Sequence, residues 1–179
     1  MKGALRFIIA LATALVAVLV FRALVMTVCT IDGDGLAPQF MEGDRVVINR
    51  WSYGLRTGET GGLFGYGRIC RQKIEKGDFI AFEDNYGRIL VCQCAALPGD
   101  TIYLGKEKSP CVVPGVEDCD DQDYYWVRSI GKNNPLDSRQ LGFIPEERII
   151  GRACMVMFSH DTKAPFWRGY RPERLLLPK

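Results

Sequence analysis

The chain has 179 residues, and its 23 Lys and Arg against 21 Asp and Glu leave a formal charge of only +2. A chain of this length buries roughly two thirds of its unfolded surface as one modest domain, with residues left over for an anchor, so a second full domain is not expected. The basic residues are spread along the sequence instead of forming a stripe, and nucleic acid is therefore not an expected partner.

From Phe7 to Phe21 only Thr13 is not plainly apolar, and the run resumes after Arg22 as Ala23-Leu24-Val25-Met26. About 20 helical residues cross the hydrocarbon core, so one transmembrane helix is predicted, with Arg22 near one end extending its charge to the headgroups. A cleavable signal peptide also has basic residues before an apolar stretch, but the exit Arg22-Ala23-Leu24-Val25-Met26-Thr27 lacks a good small-x-small cleavage site. Val28 before Cys29 is likewise too bulky for a lipoprotein signal. Lys2 and Arg6 predict a cytoplasmic N-terminus. The expected division is residues 1–28 as tip and anchor and residues 29–179 as a non-cytoplasmic domain.

Beyond the anchor, strands are predicted at Met26–Ile31, Arg45–Arg50, Asp78–Phe82 and Arg88–Cys92, the last two joined by the turn-prone Asp84-Asn85-Tyr86-Gly87. Further apolar runs at Thr101–Leu104, Tyr124–Val127 and Arg152–Phe158 continue the pattern. Short strands at close intervals, with no amphipathic helix after residue 29, predict an all-β domain. Residues 54–67 shift to Gly, Thr, Leu, Phe and Tyr without a period and read as a long loop. Its apolar tip, Leu63-Phe64-Gly65-Tyr66, either rests on the bilayer, making 54–70 membrane-proximal, or caps the domain's own core. The basic stretch from Phe166 to Lys179 either lies along the membrane or packs as a terminal strand.

Seven cysteines leave at least one unpaired. Cys111 and Cys119 flank a Pro114-Gly115 step suited to a turn, which predicts a hairpin disulfide in an oxidising compartment. Cys92 and Cys94 share a strand face, and with Cys70 or His160 they form a conceivable metal set, but no Cys-x-x-Cys pair exists. They read as buried free thiols, with no metal and no cofactor expected.

Three blocks carry the chemistry: Gly35-Leu36-Ala37-Pro38-Gln39-Phe40-Met41-Glu42-Gly43-Asp44, Cys92-Gln93-Cys94-Ala95-Ala96-Leu97-Pro98-Gly99-Asp100, and Asn134-Pro135-Leu136-Asp137-Ser138-Arg139. In order and spacing, behind an N-terminal anchor, they resemble the type I signal peptidases, membrane-bound peptidases that use a Ser/Lys pair. The resemblance runs from residue 22 to residue 161 and implies that family's antiparallel β fold. In that family the first block reads Ser-Met-x-Pro-Thr-Leu-x-x-Gly-Asp and supplies the nucleophile, while the second opens with the lysine general base. Pro38, Gly43, Asp44, Pro98, Gly99 and Asp100 match. The resemblance further implies that Asp137 and Arg139 form a structural ion pair beside the site.

The same alignment empties the catalytic positions. Amide hydrolysis by this pair needs a hydroxyl beside an amine whose pKa burial has lowered. Gly35 offers no nucleophile at the serine position and Cys92 no amine at the lysine position. Pro135 removes the hydroxyl that would orient the base, and the family's Gly-Asp-Asn has become Ser129-Ile130-Gly131. Ser52, Lys73 and Lys76 fall on the wrong elements to substitute. A thiol mechanism through Cys92 and His160, or an aspartic one through Asp32 and Asp34, is the remaining chemistry.

What the resemblance leaves is a surface that holds the end of a signal peptide as an added strand, lined by position with Ile31, Leu36, Phe40 and Val91. The expected protein is a single-pass member of a bacterial cytoplasmic membrane without peptidase activity. Its expected partners are signal peptides or extended segments of exported proteins, the bilayer, and assembly or secretion proteins. The alternative is an active serine-type signal peptidase using unrecognised residues or a partner subunit.

Overall fold

The computed structural model describes residues 2–58, 65–105, 109–118, 122–131, 136–165 and 167–176. Helix α1 (Lys2–Val25) contains a 19-residue stretch, Gly3–Phe21, that is long and apolar enough to cross a membrane. At 1.5 Å per residue the helix is about 36 Å long, against a hydrocarbon core of about 30 Å. The hydroxyl of Thr13 donates to the Ile9 carbonyl at 2.8 Å, so this polar group is satisfied within the helix. The Arg22 side chain lies outside the described residues.

The helix passes without a linker into β1 (Met26–Thr30). The remaining strands are β2 (Asp44–Asn49), β3 (Leu55–Thr57), β4 (Gly67–Ile69), β5 (Phe79–Glu83), β6 (Ile89–Ala96), β7 (Thr101–Leu104), β8 (Ser109–Val112), β9 (Tyr124–Arg128), β10 (Ile144–Pro145) and β11 (Ile149–Ser159). A single helical turn, α2 (Ser138–Leu141), follows β9. Seven strands form one antiparallel sheet in the order β1-β2-β11-β5-β6-β9-β10, while β3–β4 and β7–β8 form two-stranded ribbons. The domain is all-β, as expected.

The long strand β11 has register shifts between Ala153 and Met155 and between Val156 and Phe158, where bulges bend the strand and let the sheet curl. Both faces are then covered. Because successive residues of a strand point to opposite faces, one strand feeds two cores. On β5, Ala81 packs with Ile31, Leu36, Phe40, Val46, Ile48 and Val156, whereas Ile80 and Phe82 pack with Tyr53, Tyr125, Val127 and Ile149 on the other side. Continuous apolar runs such as Val46-Val47-Ile48 follow from burial on both faces.

Most predicted strand limits fall within a residue of those found, but β6 runs four residues further and β11 begins three earlier. Residues 54–67 are not one irregular loop: Leu55 pairs with Ile69 and Thr57 with Gly67. The Leu63-Phe64 tip lies outside the described residues. The ribbon is fastened by Arg68, whose buried guanidinium meets Glu146 at 3.3 Å and the Gly54 carbonyl at 3.1 Å. Strand β8 accommodates Pro110 because it is half of a two-stranded ribbon, where a missing N–H is tolerated. The C-terminal stretch forms no strand along its described length: a bridge pairs Tyr170 with His160, and Pro172–Arg174 make one 3-10 turn.

Candidate functional site

Strand β1 is an edge of the main sheet, paired only with β2. Strand β6 pairs with β5 from Ile89 to Gln93 but meets β9 only from Gln93 onward. Two strand edges, that of β1 and that of the first half of β6, therefore have no ladder partner among the described residues. Between them lies a cleft of about 480 Å³, lined by Val28 to Gly33 on one side and by Arg88 to Val91 on the other, together with Gly35, Leu36 and Leu136. Unpaired N–H and C=O groups beside an apolar floor are what an extended peptide can satisfy by adding as a strand.

Ile31, Leu36 and Val91 line this cleft and belong to the core cluster beneath it. Phe40 does not line it. Its ring is wholly buried, edge-on to Phe79 with centroids 5.1 Å apart, and it supports the loop from below. That loop turns through bonds from the Ala37 N–H to the Asp34 carbonyl and from the Phe40 N–H to the Leu36 carbonyl, with a cis Ala37–Pro38 bond between.

Gly35 is buried, and its carbonyl accepts from the Ser129 hydroxyl and from the Gly131 N–H, each at 2.6 Å. A Cβ on Gly131 would stand 2.4 Å from the Asp34 carbonyl oxygen, so the close approach of the two segments requires glycine there. Cys92 faces away from Val91. It packs in the second cluster with Ile80, Phe82, Cys94 and Val127, its Sγ 3.5 Å from the Leu136 carbonyl. Pro135 lies outside the described residues, as does Cys119, and with it the expected bridge to Cys111.

Asp137 is wholly buried and caps α2. Burial works against its charge, but the Arg139 guanidinium at 2.7 Å and the amides of Arg139 and Ser129 outweigh it and hold the carboxyl below the usual carboxylate range. Burial, and secondarily the Asp137 charge, push the Cys92 thiol up to about 12. Cys29, lining the cleft, is pushed up to about 11 by burial and by Asp32. His160 stacks on Phe158 at the far end of β11, beside Tyr170, and is not among the residues packed around Cys92. Asp32 and Asp34 are exposed. Among the described residues no group of three or more His, Cys, Asp or Glu is placed to hold a metal ion.

Two features were not foreseen from the sequence. One is Ser129, joining the first block to the segment before the third. The other is the clamp on Asp44, whose wholly buried carboxylate accepts from Ser159 Oγ at 2.6 Å, the Met41 N–H at 2.8 Å and Arg174 Nη2 at 2.9 Å. Arg174 also donates to the Gln39 carbonyl, and Arg171 to that of Glu42. The unbalanced basic character of the C-terminal stretch was the available signal for a buried acid elsewhere.

Residues 4–109, more than half of the chain, match the sequence model of the family described as signal peptidase, peptidase S26. The chain belongs to the signal peptidase family. It is 25% identical over 204 aligned positions to "Signal peptidase IB" of Staphylococcus aureus, covering 96% of this chain and 97% of that protein. It is 26% identical over 164 positions to "Probable signal peptidase I-1" of Synechocystis sp., covering 83% of this chain and 79% of that one. The similarity to these signal peptidases thus extends over nearly the whole chain.

Proposed function

We propose that this signal peptidase relative is a membrane-anchored binding protein without peptidase activity, which holds an extended segment of an exported protein between β1 and β6. The observation that carries the reading is a cleft between two unpaired strand edges beside positions that supply neither hydroxyl nor amine. The family's nucleophile position is Gly35 and its base position Cys92, a buried thiol kept protonated at neutral pH. Ile31, Leu36 and Val91 are the proposed peptide contacts, with Phe40 supporting them. Lys2 and Arg6 favour a cytoplasmic N-terminus and a domain on the far side of the membrane, from about residue 29 onward.

The test is cleavage of a preprotein with an Ala-x-Ala site by the full-length protein in lipid, beside a Gly35→Ser, Cys92→Lys, Pro135→Ser variant. The natural chain is expected to leave the preprotein intact while retaining it on a pull-down. Cleavage at the Ala-x-Ala bond by the natural chain would return the protein to the active peptidases. Single replacements of Cys92, Asp34 and His160 would then locate the residues responsible.

A further inference from the structure

Charge at the rim of this cleft is unequal, and it bears on the clients the cleft accepts; the inference rests on the reading above. Arg88 and Asp32 both line the cleft. Arg88 is already matched, because its Nε and Nη2 reach the buried Asp84 carboxylate at 2.8 and 2.7 Å and its guanidinium lies over the Tyr86 ring. Asp32 is exposed, as is Asp34 two residues on, and none of the ion pairs among the described residues involves either. Among the described residues the cleft therefore presents an apolar floor and one unbalanced carboxylate, with a second just outside. Walls of low polarity focus that field into the groove.

We infer that the cleft selects extended segments in which a lysine or arginine, set against Asp32, accompanies the small apolar side chains held on the floor. A glutamate or aspartate at the same place meets a like charge, and Arg88 offers little compensation because Asp84 already neutralises it. Complementary rim charge chiefly sets partner choice and register, while the apolar floor and backbone bonds supply most of the affinity.

The test uses the full-length protein in nanodiscs of neutral lipid and fluorescein-labelled peptides built around Ala-x-Ala. Lys, Gln or Glu is scanned through the flanking positions, and binding is read by anisotropy. At one flanking position the Lys peptide should bind about 3- to 10-fold more tightly than the Glu peptide in about 50 mM salt, as for a partly exposed ion pair. The ratio should shrink toward unity in about 500 mM salt. Asp32→Asn should abolish the ratio and Asp32→Glu should retain it, while Glu117→Gln, on the exposed turn after β8, should not alter it. Equal binding of all three peptides, or a ratio that survives Asp32→Asn, overturns the charge selection and leaves the peptide cleft standing. Absence of binding by every peptide overturns both.

Discussion

The hydroxyl of Ser129 lies 2.6 Å from the carbonyl oxygen of Gly35, a hydrogen bond between residues 94 apart. With the Gly131 N–H on the same oxygen, it ties the loop of the first block to the segment that precedes the third. Ser129→Ala removes one of two donors, so the carbonyl is not orphaned and the expected cost is about 1 kcal/mol. Thermal unfolding of the full chain in detergent should show a midpoint lower by about 2–4 °C. An unchanged midpoint would mean that the bond contributes nothing to the joint.

Asp137, Asp84 and Asp100 are expected to set the acid limit of the fold. Asp137 is held low despite burial by Arg139 and two amides, Asp84 despite burial by Arg88 and its turn amides, and Asp100 by the Lys76 ammonium and the Leu97 amide. A folded pKa below the unfolded value means that the unfolded chain takes up protons first as pH falls. Their stabilisation is therefore complete above the ordinary aspartate value of about 3.9 and drains as pH drops through the lower folded values. The unfolding midpoint should stay level from about pH 7 to about pH 5 and fall steeply below about pH 4. Arg139→Ala should cost about 2 kcal/mol at neutral pH by leaving a buried carboxylate without its cation. A midpoint that already declines near pH 6 would place the control in other groups.

The parts legible in the sequence were those whose physics is local. Asp78–Phe82 and Arg88–Cys92 could be read as a pair because apolar runs flank a turn of four small or polar-tipped residues, and they form β5 and β6. The Asp137–Arg139 pairing was expected from the family resemblance and not from residue spacing; in the structure the two side chains lie 2.7 Å apart. The β3–β4 ribbon was not legible, since its glycine-rich window has no period and Arg68 fastens it by bonding the Glu146 carbonyl 78 residues away. The opposite facing of Val91 and Cys92 was implicit in the two-residue repeat of a strand, but which face is cleft and which is core depends on how β11 curls the sheet.

Arg174 closes the loop that carries the first block. Its Nη2 bonds the Asp44 carboxylate and the Gln39 carbonyl, each at 2.9 Å, which ties residues near the end of the described chain to the cleft loop. Arg174→Ala leaves the wholly buried Asp44 with Ser159 and one amide as partners, at an expected cost of about 3 kcal/mol. Hydrogen exchange should quicken at the amides of Ala37, Phe40 and Asp44, and peptide binding should weaken with it. Faster exchange confined to residues 167–176 would show that the cleft loop holds its shape without the clamp.

Under the proposed reading, Cys92 is the position at which binding and chemistry separate. Burial and the nearby Asp137 push its thiol up to about 12; Cys94 is also pushed up to about 12, by burial and by Asp78 and Asp100, whereas Cys70 is exposed on the turn after β4. At neutral pH Cys92 therefore carries far less thiolate than an exposed cysteine, and the thiolate is the reactive form. Iodoacetamide applied to the folded protein at about pH 7.5 should label Cys70 first, with Cys92 and Cys94 labelled only after denaturant is added, as read by mass spectrometry of the peptides. A thiol peptidase requires the thiolate within reach of a base. Protection of Cys92 under conditions in which the chain binds peptide would therefore separate recognition from hydrolysis. Rapid alkylation of Cys92, with loss of a cleavage activity, would instead make that thiol the nucleophile.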